Sequence, residues 1–367
     1  MFCRKQVTSI PDEIPKTFNS FNLGFHKPKK DQCKVCECYR SSSPEYKNEA
    51  LYNLHIKRKE SARLSKDHDK QLAKDDKSVR AINFDLEAVL NTPKTSTGQV
   101  FYLRKLAVYN LTVYNLANKE GKCFLWDETQ GRRGAIEIAS CLYNYIMSYT
   151  NKKSVYMMSD SCGGQSKNSI FAAMCLHLVQ IHPTVKKIWH SFFQPGHSEM
   201  ECDSIHSKIE KKSKNVSVYV PEGWAQIIRK ARHNPFPFVL KKMNYDEFLN
   251  FRLLSSKLKI IPWKKVCCLE YRKTDPFSVY FKKEFDQDFA EATFKAEGKP
   301  SKLVIPNAYS KPIPLTSAKL KDLHTMCKNN TIPKEYHSYY SDLKSGSEEK
   351  EKLPEPDNDE SSEYESS

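Results

Sequence analysis

Nowhere in the 367 residues does a run of uncharged apolar side chains approach the roughly 20 needed to cross a bilayer. The opening residues, Met-Phe-Cys-Arg-Lys-Gln, also lack the apolar stretch of a signal peptide. Together these absences predict an intracellular, soluble protein with no membrane partner. The twelve cysteines lack the even spacing of a disulfide framework, and in a reducing compartment they read as thiols or metal ligands. From about residue 344 apolar side chains nearly vanish, which predicts a disordered tail rich in Ser, Glu, Asp and Pro. That tail is acidic. Residues 348–367 hold nine acids against Lys350 and Lys352, a net charge of −7, so the overall +15 conceals +22 on the other 347 residues. A body this basic suits a polyanion, DNA above all, because each phosphate neutralised releases a counterion.

Three acids stand out against this background. Asp85 ends the run Val79-Arg-Ala-Ile-Asn-Phe-Asp85, and Asp160 ends Ser154-Val-Tyr-Met-Met-Ser-Asp160. Asp203 lies ten residues beyond the apolar run Ile188 to Phe193. The first two runs read as buried strands, with the acid placed where the apolar pattern stops. Ligands of open α/β sheets bind outside the carboxyl ends of strands, so acids there can converge on one metal site. Two Mg²⁺ (or Mn²⁺) ions shared by such carboxylates are the apparatus of phosphoryl transfer at nucleic acid. Glu87, Asp127, Glu128, Glu199, Glu201 and Glu210 compete for places. Asp203 is favoured as the third ligand, with Glu210, two helical turns further on, as the main alternative.

The pattern from 79 onward resembles βββαβαβα. Strands are expected at 79–86, within 101–116 and at 123–126, followed by a helix at 135–149, a strand at 154–159, a helix at 168–180, a strand at 187–193 and a helix carrying Asp203, His206 and Glu210. This gives an α/β fold with a mixed sheet flanked by helices on both faces. The expected organisation is 1–78, an irregular Cys/His segment with a long charged helix over 45–77; 79–215, the catalytic domain; 216–343, a C-terminal appended module; and 344–367, the tail. On the long helix, Leu51, Leu54, Ile56, Ala62 and Leu64 form a thin apolar stripe.

The sharpest local string is Ser159 to Asn168, where Gly163 and Gly164 permit close backbone approach to a phosphate. Gln165, Lys167 and Asn168 can hydrogen-bond a nucleic-acid backbone. The bland alternative is a helix-entry turn. His197 and His206 flank Asp203, and either can position a water or donate to a leaving oxygen, or be structural. Near the start, Cys33-x-x-Cys36 is half of a tetrahedral zinc site, completed by His55 with His26 or Cys38, or else a pair of ordinary buried thiols.

These strings carry a resemblance. Phe25 to Cys33 with Cys36, Phe84-Asp-Leu86, Phe101 to Asn110, Trp126-Asp-Glu128, Ser159 to Asn168, Gly196-His-Ser198 with Asp203, His206 and Glu210, and Ile332-Pro-x-x-Tyr-His337 with Tyr339 are similar to transposon-derived proteins common in insects. Those proteins carry a domain of the ribonuclease H and retroviral-integrase kind. The likeness covers about 20–345. It implies a ribonuclease H-like fold and metal-dependent DNA cleavage and strand transfer by Asp85, Asp160 and Asp203, in a nuclear protein for which a homo-oligomer is among the expected partners. Relatives usually have a longer N-terminal region, so a DNA-end recognition module is expected to be missing here. The alternative is a domesticated, inactive module that binds nucleic acid or protein.

Overall fold

Hydrophobic alternation along the strands, two-sided rather than one-sided, is what organises this chain. The structure is a computed structural model that describes residues 33–294 and 304–346, without the side chains of Gln99 and Lys257. His26 and the acidic tail beyond 346 lie outside the described residues. The chain divides into two units, 1–47 and 48–367. In the first, helix α1 (Lys34–Ser41) starts directly after Cys33.

The second unit opens with α2 (Glu49–Asp75), whose N-cap Asn48 accepts from the Leu51 amide at 3.0 Å. Its buried positions are His55, Ala62, Asp69 and Ala73, a stripe at seven- and four-residue spacing. Of the apolar stripe expected from sequence only Ala62 is buried, while Leu51, Leu54 and Leu64 are exposed. Ion pairs help to dock the helix: Arg58 on Glu284, Arg63 on Glu199 and Lys66 on Glu201.

Ten strands form one mixed sheet: β1 (Val79–Leu86), β2 (Leu90–Thr92), β3 (Leu106–Asn115), β4 (Gly121–Asp127), β5 (Ser154–Ser159), β6 (Lys187–Phe192), β7 (Val239–Lys242), β8 (Cys268–Arg272), β9 (Ser278–Lys282) and β10 (Ala290–Thr293). The order is β10-β9-β8-β6-β5-β1-β3-β4-β7, with β2 paired to β3. The pairs β1/β5, β5/β6 and β4/β7 are parallel and the others antiparallel.

Four helices follow the strands: α3 (Ala135–Met147), α4 (Ser169–Ile181), α5 (Glu201–Ser213) and α6 (Pro221–Lys230). On β4, Phe124 and Trp126 join the core made with α3 and α4, whereas Cys123 and Leu125 join the core made with Ile205, Ile209, Trp224 and Ile228 of α5 and α6. Period-two alternation thus assigns neighbouring residues to opposite faces, both of them covered. Much of 216–343, expected as an appended module, extends this sheet at both edges. Phe248, Phe251 and Tyr271 are buried in the same core as Ile82 and Phe84, while Leu315, Leu323, Met326, Ile332 and Tyr340 make a smaller core with Val100 and Leu106. No helix among the described residues is long and apolar enough to cross a membrane.

Close packing fixes where α5 lies. A Cβ on Gly121, at the start of β4, would meet Ile205 Cδ1 at 2.6 Å and Phe238 Cδ1 at 3.0 Å. Gly121→Ala is expected to lower stability by about 1–3 kcal/mol, the cost of overpacking. Urea unfolding checks it; an unchanged midpoint would show that α5 shifts freely.

Candidate metal centre

The register of β1 on β5 places the first two acids. Asn83 pairs with Met158, and two residues further along these parallel strands come Asp85 and Asp160, at the same level. Faces follow from alternation. Ile82, Phe84 and Leu86 point into the core with α3 and α4, so Asp85 takes the opposite side. Val155 and Met157 share that core, while Met158 packs with Phe193, Met200 and Cys202; Asp160 therefore shares Asp85's side. Helix α5 covers it. Cys202 Sγ lies 3.2 Å from Asn83 Oδ1, and the Asn83 amide also donates to Glu201. Asp203 sits in the first turn, where its Oδ2 accepts from the Met200 amide at 3.1 Å.

Ligand atoms of Asp85, Asp203 and His206 all lie within 4.8 Å of one another. Asp160 is outside that tight group, yet its charge reaches both other aspartates. Burial, then the charges of Asp203 and Asp160, push the Asp85 carboxyl up to about 7. Asp203 is raised by burial, Asp160 and Glu201, against the opposing effects of the Met200 amide and Lys66. Three mutually repelling carboxylates with hard oxygen donors fit a divalent cation, which removes the repulsion. His206 is pushed down to about 4 by burial, so its ring is neutral near pH 7.

A buried network shapes the loop after β5. Ser159 Oγ lies 2.8 Å from His190 Nε2, Ser166 Oγ donates to the Asp160 carbonyl at 3.0 Å, and the Ser161 amide donates to Asp160 Oδ1 at 2.7 Å. Gln165 joins Asp85, Asp160 and Ser166 in lining a narrow cleft. Gly163 and Gly164 are exposed, with open space where a Cβ would stand. Asn168 is the cap of α4: its Oδ1 accepts from the amides of Ile170 and Phe171, each at 3.0 Å, and its Nδ2 donates to the Gly163 carbonyl. Lys167 Nζ stands 5.3 Å from the centre of the Phe192 ring.

The remaining acids have other partners. Glu128 pairs with Lys319 at 2.8 Å, Asp127 accepts from the Thr129 amide, and Glu199 pairs with Arg63. Glu210 is exposed, though its charge reaches Glu87. Two residues carry more weight than the sequence suggests. Glu87 is buried, bonded by Asn110 at 2.7 Å and pushed up to about 8 by burial, so it is mostly protonated at pH 7. Arg133 is a cation close enough to counter the rise at Asp85. Its Gly131-Arg-Arg-Gly134 turn gave no signal, because nothing local ties it to β1.

His197 belongs with His55 rather than with the acid group. Their Nε2 atoms are 3.0 Å apart, and Gln194 Nε2 lies 3.2 Å from His55 Nδ1. Burial and neighbouring cations lower both histidines, His55 to about 4. Cys33, Cys36 and Cys38 belong to the first unit: Cys33 borders α1, and the other two lie on it.

The raised Asp85 carboxyl has a consequence for stability. Its folded pKa, about 7, exceeds the ordinary 3.8, so the stability it contributes is complete below about pH 4 and is lost as pH rises through 7. In metal-free protein, Asp85→Asn is expected to escape this loss. Its advantage over wild type should grow between pH 5 and 8 by at least about 1 kcal/mol, near the worth of one pKa unit. Urea unfolding with a chelator at both pH values checks it; a pH-independent difference would show that Asp85 is ionised throughout.

Against known proteins, no curated protein and no solved structure matches this chain. Residues 115–260 match the model of a family described as a domain of unknown function (DUF7869), a stretch that includes Asp160, Asp203 and His206 and begins after Asp85.

Proposed function

We propose that this chain is a transposase-derived, DNA-processing protein with a ribonuclease H-like domain, working in the nucleus as a metal-dependent phosphodiester nuclease. The observation that carries the reading is the level placement of Asp85 and Asp160 on neighbouring parallel strands, with Asp203 facing them from α5. The local strand order β4-β3-β1-β5-β6, antiparallel on one side of β1 and parallel on the other, supports the fold assignment.

Bound Mg²⁺ or Mn²⁺ would supply activation of the attacking oxygen and stabilisation of the leaving one. Asp85, Asp160 and Asp203 would hold the ions. Arg133 tempers the charge at Asp85, and protonated Glu87 adds none, which keeps the cluster from being more anionic than its cations can balance. Gln165 and Lys167, on the loop after Asp160, would contact the nucleic-acid backbone.

Asp160→Asn keeps a side-chain oxygen able to accept from the Ser161 amide and removes the charge, so folding and DNA binding should survive while cleavage falls to background. Nicking of plasmid and of pre-cut DNA ends with Mg²⁺ or Mn²⁺ measures this. Wild-type protein that binds DNA yet cleaves none of these substrates would replace the nuclease with a domesticated binding module.

Zinc is the second metal in this reading. The thiolate pair Cys33 and Cys36 has the chemistry of half a tetrahedral set. Purified protein is expected to carry about one zinc per chain, lost in Cys33→Ser and Cys36→Ser alike. Full zinc retention in either variant would remove that residue from the set.

A further inference from the structure

We propose that His206 is an inner ligand of the acid cluster's metal rather than a proton carrier beside it, and that the cluster therefore selects Mn²⁺ over Mg²⁺. This deepens the nuclease reading and rests on the cluster being a metal site.

The argument begins with helix geometry. Asp203 and His206 are three residues apart on α5, so both project from the same face of the helix, over the end of β1. His206 Nδ1 lies 4.0 Å from Asp85 Oδ2. That is too long for a hydrogen bond, whose N···O distance is about 2.7–3.2 Å. It is the separation expected of two donors on one ion, since bonds of about 2.1 Å place ligand atoms between about 3 and 4.2 Å apart. The three donors of Asp85, Asp203 and His206 span at most 4.8 Å, so a small inward movement closes them on a cation.

A structural role for His206 finds no support in its contacts. His182, His190, His324 and His337 each hold a hydrogen bond to a carbonyl or hydroxyl. His206 holds none among the described residues: its Nδ1 stands 4.0 Å from Asp85, and its Nε2, like the second nitrogen of His190, is buried without a partner. The side chain retains 12% of its exposure and Asp85 25%, which leaves the pair reachable by an ion from solvent. An imidazole at this position is also an electrostatic choice. A fourth carboxylate would add repulsion to Asp85, Asp160 and Asp203, whereas a neutral nitrogen completes the coordination without charge. Nitrogen is a softer donor than carboxylate oxygen, so a mixed Asp/Asp/His set favours a transition-metal ion over Mg²⁺, and Mn²⁺ is one that also accepts carboxylates readily.

Electron paramagnetic resonance of the full chain with Mn²⁺ tests this directly. Wild type is expected to bind Mn²⁺ at least about 10-fold more tightly than Mg²⁺ and to show nitrogen modulation of the spin echo. That modulation should change character when histidine is ¹⁵N-labelled, a readout that needs no variant. His206→Ala should remove it and weaken Mn²⁺ binding by at least about 10-fold, with Mg²⁺ binding altered far less. Asp85→Asn serves as the control that the ion lies in this cluster. Mn²⁺ bound at the cluster without nitrogen modulation, and unaffected by His206→Ala, would overturn the proposal while the nuclease reading stands. Wild type that binds neither ion would overturn both.

Discussion

Two carboxylates at the same level on adjoining strands repel each other, and everything around β1 and β5 has to hold that register against the repulsion. Parallel pairing of Asn83 with Met158 sets the level. Cys202 and Glu201, both bonded to the Asn83 side chain, bring α5 and with it Asp203 over the strand ends. From below, Ile82, Phe84, Val155 and Met157 anchor the same strands in the core with α3 and α4. Burial first, and then the charge of the neighbouring acids, raises the Asp85 and Asp203 carboxyls, a cost that a bound divalent cation would relieve. An acid cluster of this kind is pre-organised by hydrophobic packing on the far face of the sheet.

Much of this geometry could be read from residue patterns, because strands carry their burial in alternation. The spans expected for β1 and β5 match the structure to the residue or within one, as both are short apolar runs with the acid at the stop. The helix after β5 was legible from its apolar run, which stops short of Pro183. Other features depend on partners distant in sequence. Leu51, Leu54 and Leu64 look like a stripe, yet α2 turns His55, Ala62 and Asp69 inward, because the surface it meets is partly ionic. Residues after 215 have looser patterns because β7 to β10 are short strands added outside β4 and β6, with β7 and β10 at the sheet's edges. A four-residue strand has too few alternations to declare its face.

At the candidate site the same division holds. Asp85, Asp160 and Asp203 were visible because each follows an apolar run. Glu87 was visible only as one competing acid among several, since its burial and its bond from Asn110 depend on the neighbouring strand, and Arg133 gave no signal because its nearness to β1 is not local. Asn168 and His197 show the opposite effect. A polar residue beside candidate acids attracts a functional reading, but Asn168, expected to contact a nucleic-acid backbone, caps α4, and His197, expected to serve the acids, turns toward His55.

The ionic docking of α2 changes what ionic strength does to this protein. Arg58, Arg63 and Lys66 attach the helix to Glu284, Glu199 and Glu201, and Glu201 is in turn bonded to β1 through Asn83. Partly exposed pairs of this kind weaken as salt rises. Counterion screening therefore acts twice, on any polyanion held at the basic surface and on the helix that buttresses the acid cluster. A steep salt dependence of activity would then combine loss of DNA with loosening of the site itself. Hydrogen exchange along α2 in the absence of DNA separates the two contributions.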